Sequence, residues 1–382
     1  MDTDAELMRR ALALAAGARR RTPPNPWVGC VVARDGEIVG EGATQPPGGP
    51  HAEVEALREA GERARGATAY VTLEPCSHHG RTPPCVEALL GAGIARAVVA
   101  LEDPDPQVRG TGIAGLRARG VTVDLGIERD DAVRLLAPYL THREFGRPST
   151  VVKIAMSIDG RIAARDGTSR WITGDAARAD AHELRADSQA VMVGAGTAIA
   201  DRPSLTARDT REPVVRLPLR VVLDATGRVP AHGPLFDTSV APTLVVTTAA
   251  ASDEATSAWL AAGAKVQTVQ PAATGTGVDL LATLECLAGL GVLQALVEGG
   301  SQLAGAFVTA GLADRIVAYV APTILGRDGS PGFDLAGPTT IADAPRLRLD
   351  AVTRLGDDVR LDYVPLSWRN GGPPPWRNGR ES

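Results

Sequence analysis

The sequence is poor in aromatic residues and cysteine and has no excess of basic residues. Aromatics make up only 3% of the 382 residues, so core packing falls to Ala, Val, Leu and Ile. Four cysteines are too few for the disulfide framework of a secreted scaffold, and a reducing compartment suits them better. A formal charge of -5 argues against a sequence-independent grip on nucleic acid, which needs basic surface to displace counterions from phosphates. No stretch is apolar for long enough to span a bilayer. The segment from Met1 to Leu7 is acidic and lacks the apolar core and small-residue cleavage site of an export signal. The expectation is a cytoplasmic protein that binds neither nucleic acid nor membrane.

With 44% hydrophobic and 22% charged residues the chain can bury a sizeable core, and 382 residues exceed what one core usually supports, so two domains are expected. Leu7, Met8, Ala11, Leu12 and Ala15 recur at helical spacing and predict an opening helix. Strand patterns over 28–33 and 37–42 flank Asp35-Gly36, a dipeptide suited to a tight hairpin turn. Residues 51–64 read as a helix with Val54, Leu57 and Ala60 inward. Strands and helices then alternate to about Leu125, which predicts an α/β sandwich with a partly parallel sheet. Phe145-Gly146-Arg147-Pro148 punctuates the chain, dividing 1–145 from a second α/β unit over 146–366. Residues 367–382 repeat Trp-Arg-Asn-Gly around a Gly-Pro-rich spacer and predict a mobile extension.

Three residues carry metal chemistry. His51 opens a predicted helix, and Cys76 and Cys85 flank the start of another, so the three can converge. A catalytic zinc takes three protein ligands and leaves its fourth position to water, whose pKa it lowers towards neutrality. Glu53, two residues beyond His51, can move the proton that such a water loses. His-x-Glu followed by Pro-Cys and a later Cys is the zinc-deaminase pattern, although eight residues here separate cysteines that usually lie two residues apart. A purely structural zinc site would instead want a fourth ligand, from His78, His79 or Cys30.

These residues resemble a particular family. Thr22-x-Pro-Asn-Pro-x-Val-Gly, Pro50-His-Ala-Glu and the run from Thr72 to Cys85, Thr-Leu-Glu-Pro-Cys-Ser-His-His-Gly-Arg-Thr-Pro-Pro-Cys, look like the deaminase half of the bifunctional riboflavin biosynthesis deaminase/reductases. The long cysteine spacing is normal in that family. The resemblance implies a cytidine-deaminase-like three-layer domain followed by a dihydrofolate-reductase-like α/β domain. It implies Zn2+ held by His51, Cys76 and Cys85, and a diaminopyrimidinone carrying a phosphoribosylamino group as substrate. Asn25 and His78, with the rest of the loop to Thr82, would meet that substrate.

In the second half, Lys153-x-x-x-Ser-x-Asp-Gly-Arg, Ser169-Arg-Trp-Ile-Thr, Val193-Gly-Ala-Gly-Thr, Asp201-Arg-Pro-Ser-Leu and Glu298-Gly-Gly-Ser resemble the family's NADPH-dependent reductase. Two of these runs carry a strand through glycines into a predicted helix, where backbone N–H groups can approach a phosphate. Neither is a Gly-x-Gly-x-x-Gly fingerprint, since Ile199 and Ala304 stand at the third position. By carry-over, Ala155, Trp171, Thr197, Asp201, Ala225, Gly299 and Gly300 would line NADPH. Ser169, Arg185, Leu205, Arg208 and Glu298 would hold the substrate, with Arg185 and Arg208 suited to its phosphate. Lys153 would protonate or polarise the imine being reduced. The expected partners are a small phosphorylated pyrimidine and further copies of the chain. Two other readings predict different behaviour: a nucleic-acid deaminase with a binding module would bind single strands at physiological salt, and a metal-stabilised scaffold would be indifferent to Glu53→Gln.

Overall fold

The computed structural model describes residues 3–78 and 83–366. It divides into two compact units, one running to Gly146 and the other starting at Arg147. The Trp-Arg-Asn-Gly repeats of 367–382 lie outside the described residues.

The first unit runs α1 (Asp4–Ala18), β1 (Gly29–Arg34), β2 (Glu37–Ala43), α2 (Ala52–Ala60), β3 (Thr68–Val71), α3 (Cys85–Gly91), β4 (Arg96–Val99), α4 (Thr111–Ala118), β5 (Thr122–Leu125) and α5 (Arg129–Phe145). Its sheet has the order β2-β1-β3-β4-β5. β1 is antiparallel to both its neighbours, and β3, β4 and β5 are parallel. Asp35 and Gly36 both take positive φ (53° and 82°), as a two-residue hairpin turn requires.

Glycines on β1 and β2 set the layers. A Cβ on Gly29 would lie 1.9 Å from the Ala11 carbonyl oxygen of α1, and one on Gly42 would lie 2.2 Å from the Ala52 oxygen of α2. Gly29 pairs with Ala43, one residue beyond Gly42, so the two glycines look to opposite faces of the pleated sheet. Thus α1 and α2 cover opposite faces, the three-layer arrangement expected of a cytidine-deaminase-like domain. The same packing corrects the inward face predicted for α2. Ala52, Glu53, Ala56 and Ala60 are buried, whereas Val54 and Leu57 are only half-buried. The helix sits backbone-close on Gly40 and Gly42, where only alanine-sized side chains fit beneath it.

The second unit runs β6 (Ser149–Ser157), β7 (Arg161–Ala163), α6 (Asp175–Ala186), β8 (Ala190–Gly194), α7 (Ala195–Asp201), β9 (Leu219–Leu223), β10 (Thr243–Thr247), α8 (Asp253–Ala261), β11 (Lys265–Thr268), α9 (Leu280–Gly289), β12 (Gln294–Val297), α10 (Ser301–Thr309), β13 (Arg315–Ala321), β14 (Ser330–Pro331), β15 (Leu347–Leu355) and β16 (Asp358–Pro365). The main sheet has the order β11-β10-β9-β8-β12-β6-β13-β16-β15, parallel from β11 to β13 and closed by the antiparallel β16 and β15. Strand residues alternate between two cores. Val151, Val191, Val193 and Leu296 join Trp259 and Phe236 on one face, and Val152, Met192, Ala295 and Val297 join Leu284, Leu287 and Phe307 on the other. The late strand β12 inserts between β6 and β8, so the chain reverses its direction of travel there. Such switch points are where open α/β sheets leave a crevice at the carboxyl ends of their strands.

Candidate active sites

The first site forms at two helix starts. His51 is the N-cap residue of α2, held extended at φ -77° and ψ 166°, and Cys85 is the first residue of α3. Cys76 follows β3 in a loop whose geometry is fixed by its neighbour Glu74. That buried carboxylate accepts backbone N–H bonds from Asp103, Gly110, Gly112 and Ile113 (3.2, 3.0, 2.8 and 3.1 Å), clasping the start of α4 to the cysteine loop. The donor atoms of His51, Cys76 and Cys85 lie within 4.8 Å of one another, and among the described residues no fourth ligand joins them. Cys30 is buried in β1 outside the cluster, His78 is exposed, and His79 lies outside the described residues.

The donor set fits zinc. Bonds of about 2.0 Å to nitrogen and 2.3 Å to sulfur, set tetrahedrally, imply N···S edges of roughly 3.5 Å. His51 Nδ1 lies 3.1 Å from Cys85 Sγ and 3.7 Å from Cys76 Sγ. The Cys85 thiol, opposed by burial and aided by His51, holds the Cys76 thiol below its usual range, towards the thiolate form a metal ligand takes. Glu53 is buried beside the triad, and burial followed by the Cys76 thiolate pushes its carboxyl upward. A buried carboxyl beside the cluster is placed to take a proton and return it.

His51, Glu53 and Cys76 open onto a cavity of about 270 Å³, whose walls include Asn25, His78, Asp103, Asp105, Tyr139 and Arg143. Asn25 and His78 are expected here from the sequence; Asp103, Asp105, Tyr139 and Arg143 are not. Asp103 and Asp105 fall in the Asp/Pro run 102–106 after a strand end, whereas Tyr139 and Arg143 come from α5, whose pattern carries no local sign of a site. Tyr139 Oη donates to both Asp103 oxygens (3.1 and 3.0 Å), and burial pushes that carboxyl up to about 6.

The second site lies at the switch point of the nine-stranded sheet. Glu298 follows β12, with Gly299 and Gly300 leading into α10, and on the adjacent β8 the Gly194 turn leads into α7. Thr197 Oγ1 accepts the Gly300 N–H at 3.1 Å, tying the two glycine turns together. From α6, Arg185 donates Nε and Nη2 to the two Glu298 oxygens (2.5 and 2.8 Å) and Nη1 to the Thr206 carbonyl (3.1 Å). Its fork, expected at a phosphate, is therefore committed to Glu298. Burial alone would raise the Glu298 carboxyl, but Arg185 outweighs it and holds the group below its usual range. Burial pushes the Lys153 ammonium down, opposed by Glu298. Ala155, two residues along β6, shares the face of Lys153.

The remaining candidates are placed by local contacts. Arg170 donates to the Asp201 carbonyl at 2.7 Å, which ties the segment of Ser169 and Trp171 to the end of α7. Trp171 is 69% exposed and is flanked by the guanidinium of Arg178 at 4.6 Å. Leu205 is buried with a positive φ of 51°, and Arg208 is exposed, 3.9 Å from Asp209. The Ala225 carbonyl accepts the Thr248 hydroxyl at 2.7 Å.

Comparison with known proteins agrees with both halves. Residues 1–101 match the cytidine and deoxycytidylate deaminase zinc-binding region, and residues 148–361 match the RibD C-terminal domain. The riboflavin biosynthesis protein RibD of Escherichia coli (strain K12) is 41% identical over 372 residues, covering 94% of this chain and 99% of its own. The chain belongs to the RibD family. The Aquifex aeolicus RibD is 40% identical over 362 residues, covering 95% and 98%. Among solved structures, Acinetobacter baumannii RibD superposes with a TM-score of 0.84 at 39% identity, covering 95% of this chain and 98% of that one. The Thermotoga maritima diaminohydroxyphosphoribosylaminopyrimidine deaminase/5-amino-6-(5-phosphoribosylamino)uracil reductase superposes at 0.81 with 32% identity and the same coverage. The family membership makes this chain a bifunctional riboflavin biosynthesis enzyme, a zinc-dependent deaminase joined to an NADPH-dependent reductase of dihydrofolate-reductase-like fold. Among the described residues no helix is long and apolar enough to cross a membrane.

Proposed function

We propose that the chain deaminates 2,5-diamino-6-(5-phosphoribosylamino)pyrimidin-4-one in its first unit and reduces the ribosyl group of the product to ribityl in its second. The observation that carries the first step is the buried Glu53 beside a three-donor His51, Cys76 and Cys85 cluster at the floor of a polar cavity. His51, Cys76 and Cys85 would hold Zn2+, which would supply an acidified water when bound. Glu53 takes a proton from the attacking water and returns one to the departing amine. Asn25 and His78 orient the pyrimidine.

For the second step, Ala155, Trp171, Thr197, Asp201, Ala225, Gly299 and Gly300 would hold NADPH, which would supply the hydride that reduces C1′ of the ring-opened sugar. Lys153 gives the imine nitrogen its proton. Ser169, Leu205 and Arg208 hold the phosphoribosyl arm, with Arg185 acting through its pair with Glu298. The division into working domains is 1–145, for the deaminase, and 146–366, for the reductase, followed by a tail over 367–382. The protein works in the cytoplasm on a free nucleotide-like substrate rather than on nucleic acid, in keeping with its net charge of -5. It assembles as a homo-oligomer, in keeping with the nine-residue edge strand β15, exposed along most of its length with Leu347, Leu349 and Val352 uncovered.

The test is to give wild type and Glu53→Gln the diaminopyrimidinone phosphate, with and without NADPH. Ammonia release is expected to fall by about 10²–10⁴, the usual worth of a general acid–base. NADPH oxidation on pre-deaminated substrate is expected to continue at the wild-type rate. Equal loss of both reactions would contradict two separable sites.

A further inference from the structure

We propose that Tyr319 is a positioning residue for the reduction, its ring face holding the Lys153 ammonium in place of a carboxylate partner so that the N–H bonds stay available to the substrate. This rests on the reading of Lys153 as the proton donor. Lys153 pairs with Val317 across the parallel β6–β13 ladder, and Tyr319, two residues further on β13, projects from the same face. The Lys153 Nζ lies 5.7 Å from the centre of the Tyr319 ring, within the range of a cation–π contact.

The surroundings give that contact its meaning. The carboxylate nearest in kind, Glu298, spends both oxygens on Arg185. Among the described residues Lys153 has no hydrogen-bond or ion-pair partner, although the field of Glu298 still favours its charge. A carboxylate in contact would bind the ammonium protons and tighten their hold, whereas an aromatic face attracts the cation without taking a directed N–H bond. The ring is itself pinned at its far end. Tyr319 Oη donates to Asp180 at 2.6 Å, Arg360 Nη1 donates to the same oxygen at 2.7 Å, and Arg360 Nε is held by Asp362 at 2.9 Å. The charged and titratable groups that act on the ammonium are thus Glu298 beyond β12, Arg185 on α6 and Tyr319 on β13.

In the step served, a hydride, which NADPH would supply, forms the new C–H bond at C1′, the C=N π pair moves to nitrogen, and a Lys153 N–H bond breaks to place the proton there. The neutral amine left behind regains its proton from water. Only the ammonium form is competent, so kcat falls on the basic side as Lys153 deprotonates.

The experiment follows NADPH oxidation on pre-deaminated substrate against pH for the full-length wild type and for Tyr319→Phe, Tyr319→Met and Lys153→Met, with ammonia release from the first unit as the control for an intact chain. Tyr319→Met fills the space without a π face. It is expected to lower kcat about tenfold and to move the basic limb down by about half to one pH unit, leaving KM for NADPH unchanged. Tyr319→Phe keeps the face and should stay within about twofold of wild type with its limb in place. Direct NMR titration of Lys153 in the Met and Phe variants reads the same shift independently of turnover. The proposal is overturned if Tyr319→Met keeps the wild-type limb and kcat, or if the Phe and Met variants are impaired alike, which would assign the effect to the Asp180 bond. Reduction that survives Lys153→Met would overturn the proton-donor reading instead.

Discussion

Gly42→Ala should disable the deaminase by displacing its metal ligand rather than by touching it. The new Cβ would stand 2.2 Å from the Ala52 carbonyl oxygen and 2.5 Å from the Ala56 nitrogen, both backbone atoms of α2 that no rotamer change can move. Restoring an ordinary 3.4 Å contact drives the start of α2 back by about 1.2 Å. Ala52 lies between His51 and Glu53, so ligand and proton carrier move together. A displacement of about 1 Å costs on the order of 10² in rate, and overpacking of this kind costs about 1–3 kcal/mol of stability. Gly40→Ala makes the matching control, because it strikes the Ala56 oxygen at 2.2 Å, one turn further from His51. The assay is ammonia release and bound zinc per chain for both variants, with NADPH oxidation on pre-deaminated substrate as the internal reference. Gly42→Ala should lose about a hundredfold in deamination and most of its zinc, Gly40→Ala clearly less, and both should reduce normally. Wild-type deamination in Gly42→Ala, or equal losses in the two variants, would refute the link from β2 packing to ligand placement.

Three further outcomes follow from the geometry. Arg185→Ala leaves Glu298 buried without its partner and should cost about 3–5 kcal/mol of second-unit stability, part of which Arg185→Ala/Glu298→Ala recovers; thermal unfolding of the single and double variants checks this. Asp103 has its carboxyl raised from 3.8 to about 6 by burial, so the folded state binds its proton more tightly than the unfolded chain. Its destabilising effect is absent below pH 3.8 and complete above about pH 6, with an upper bound near 3 kcal/mol. Asp103→Asn should therefore gain melting temperature over wild type as pH rises from 4 to 6, and a pH-independent difference would exclude the effect. Removing metal with a chelator should abolish ammonia release and leave NADPH oxidation on pre-deaminated substrate intact, with activity regained on adding Zn2+.

The metal site was legible in the sequence because its chemistry is local. His51 and Glu53 share one helix start, and Cys76 and Cys85 bracket the next, so ligand type and spacing fix their roles before any long-range contact forms. The hairpin at Asp35-Gly36 was legible for the same reason. α5 was not. Pro138 interrupts its pattern and its apolar residues form no clear stripe, so only docking on the unit makes it a helix. The terminal β15–β16 pair escaped notice because β15 buries almost nothing and carries no core-facing alternation. Tertiary structure alone brought Asp103, Tyr139 and Arg143 to the mouth of the zinc site, from segments separated by 36 to 40 positions. It alone turned Arg185 from an expected phosphate clamp into the partner of Glu298, a contact across 113 residues. A motif can state which atoms are able to bind a metal; which buried charge neutralises which other is decided only when the sheet brings distant strands side by side.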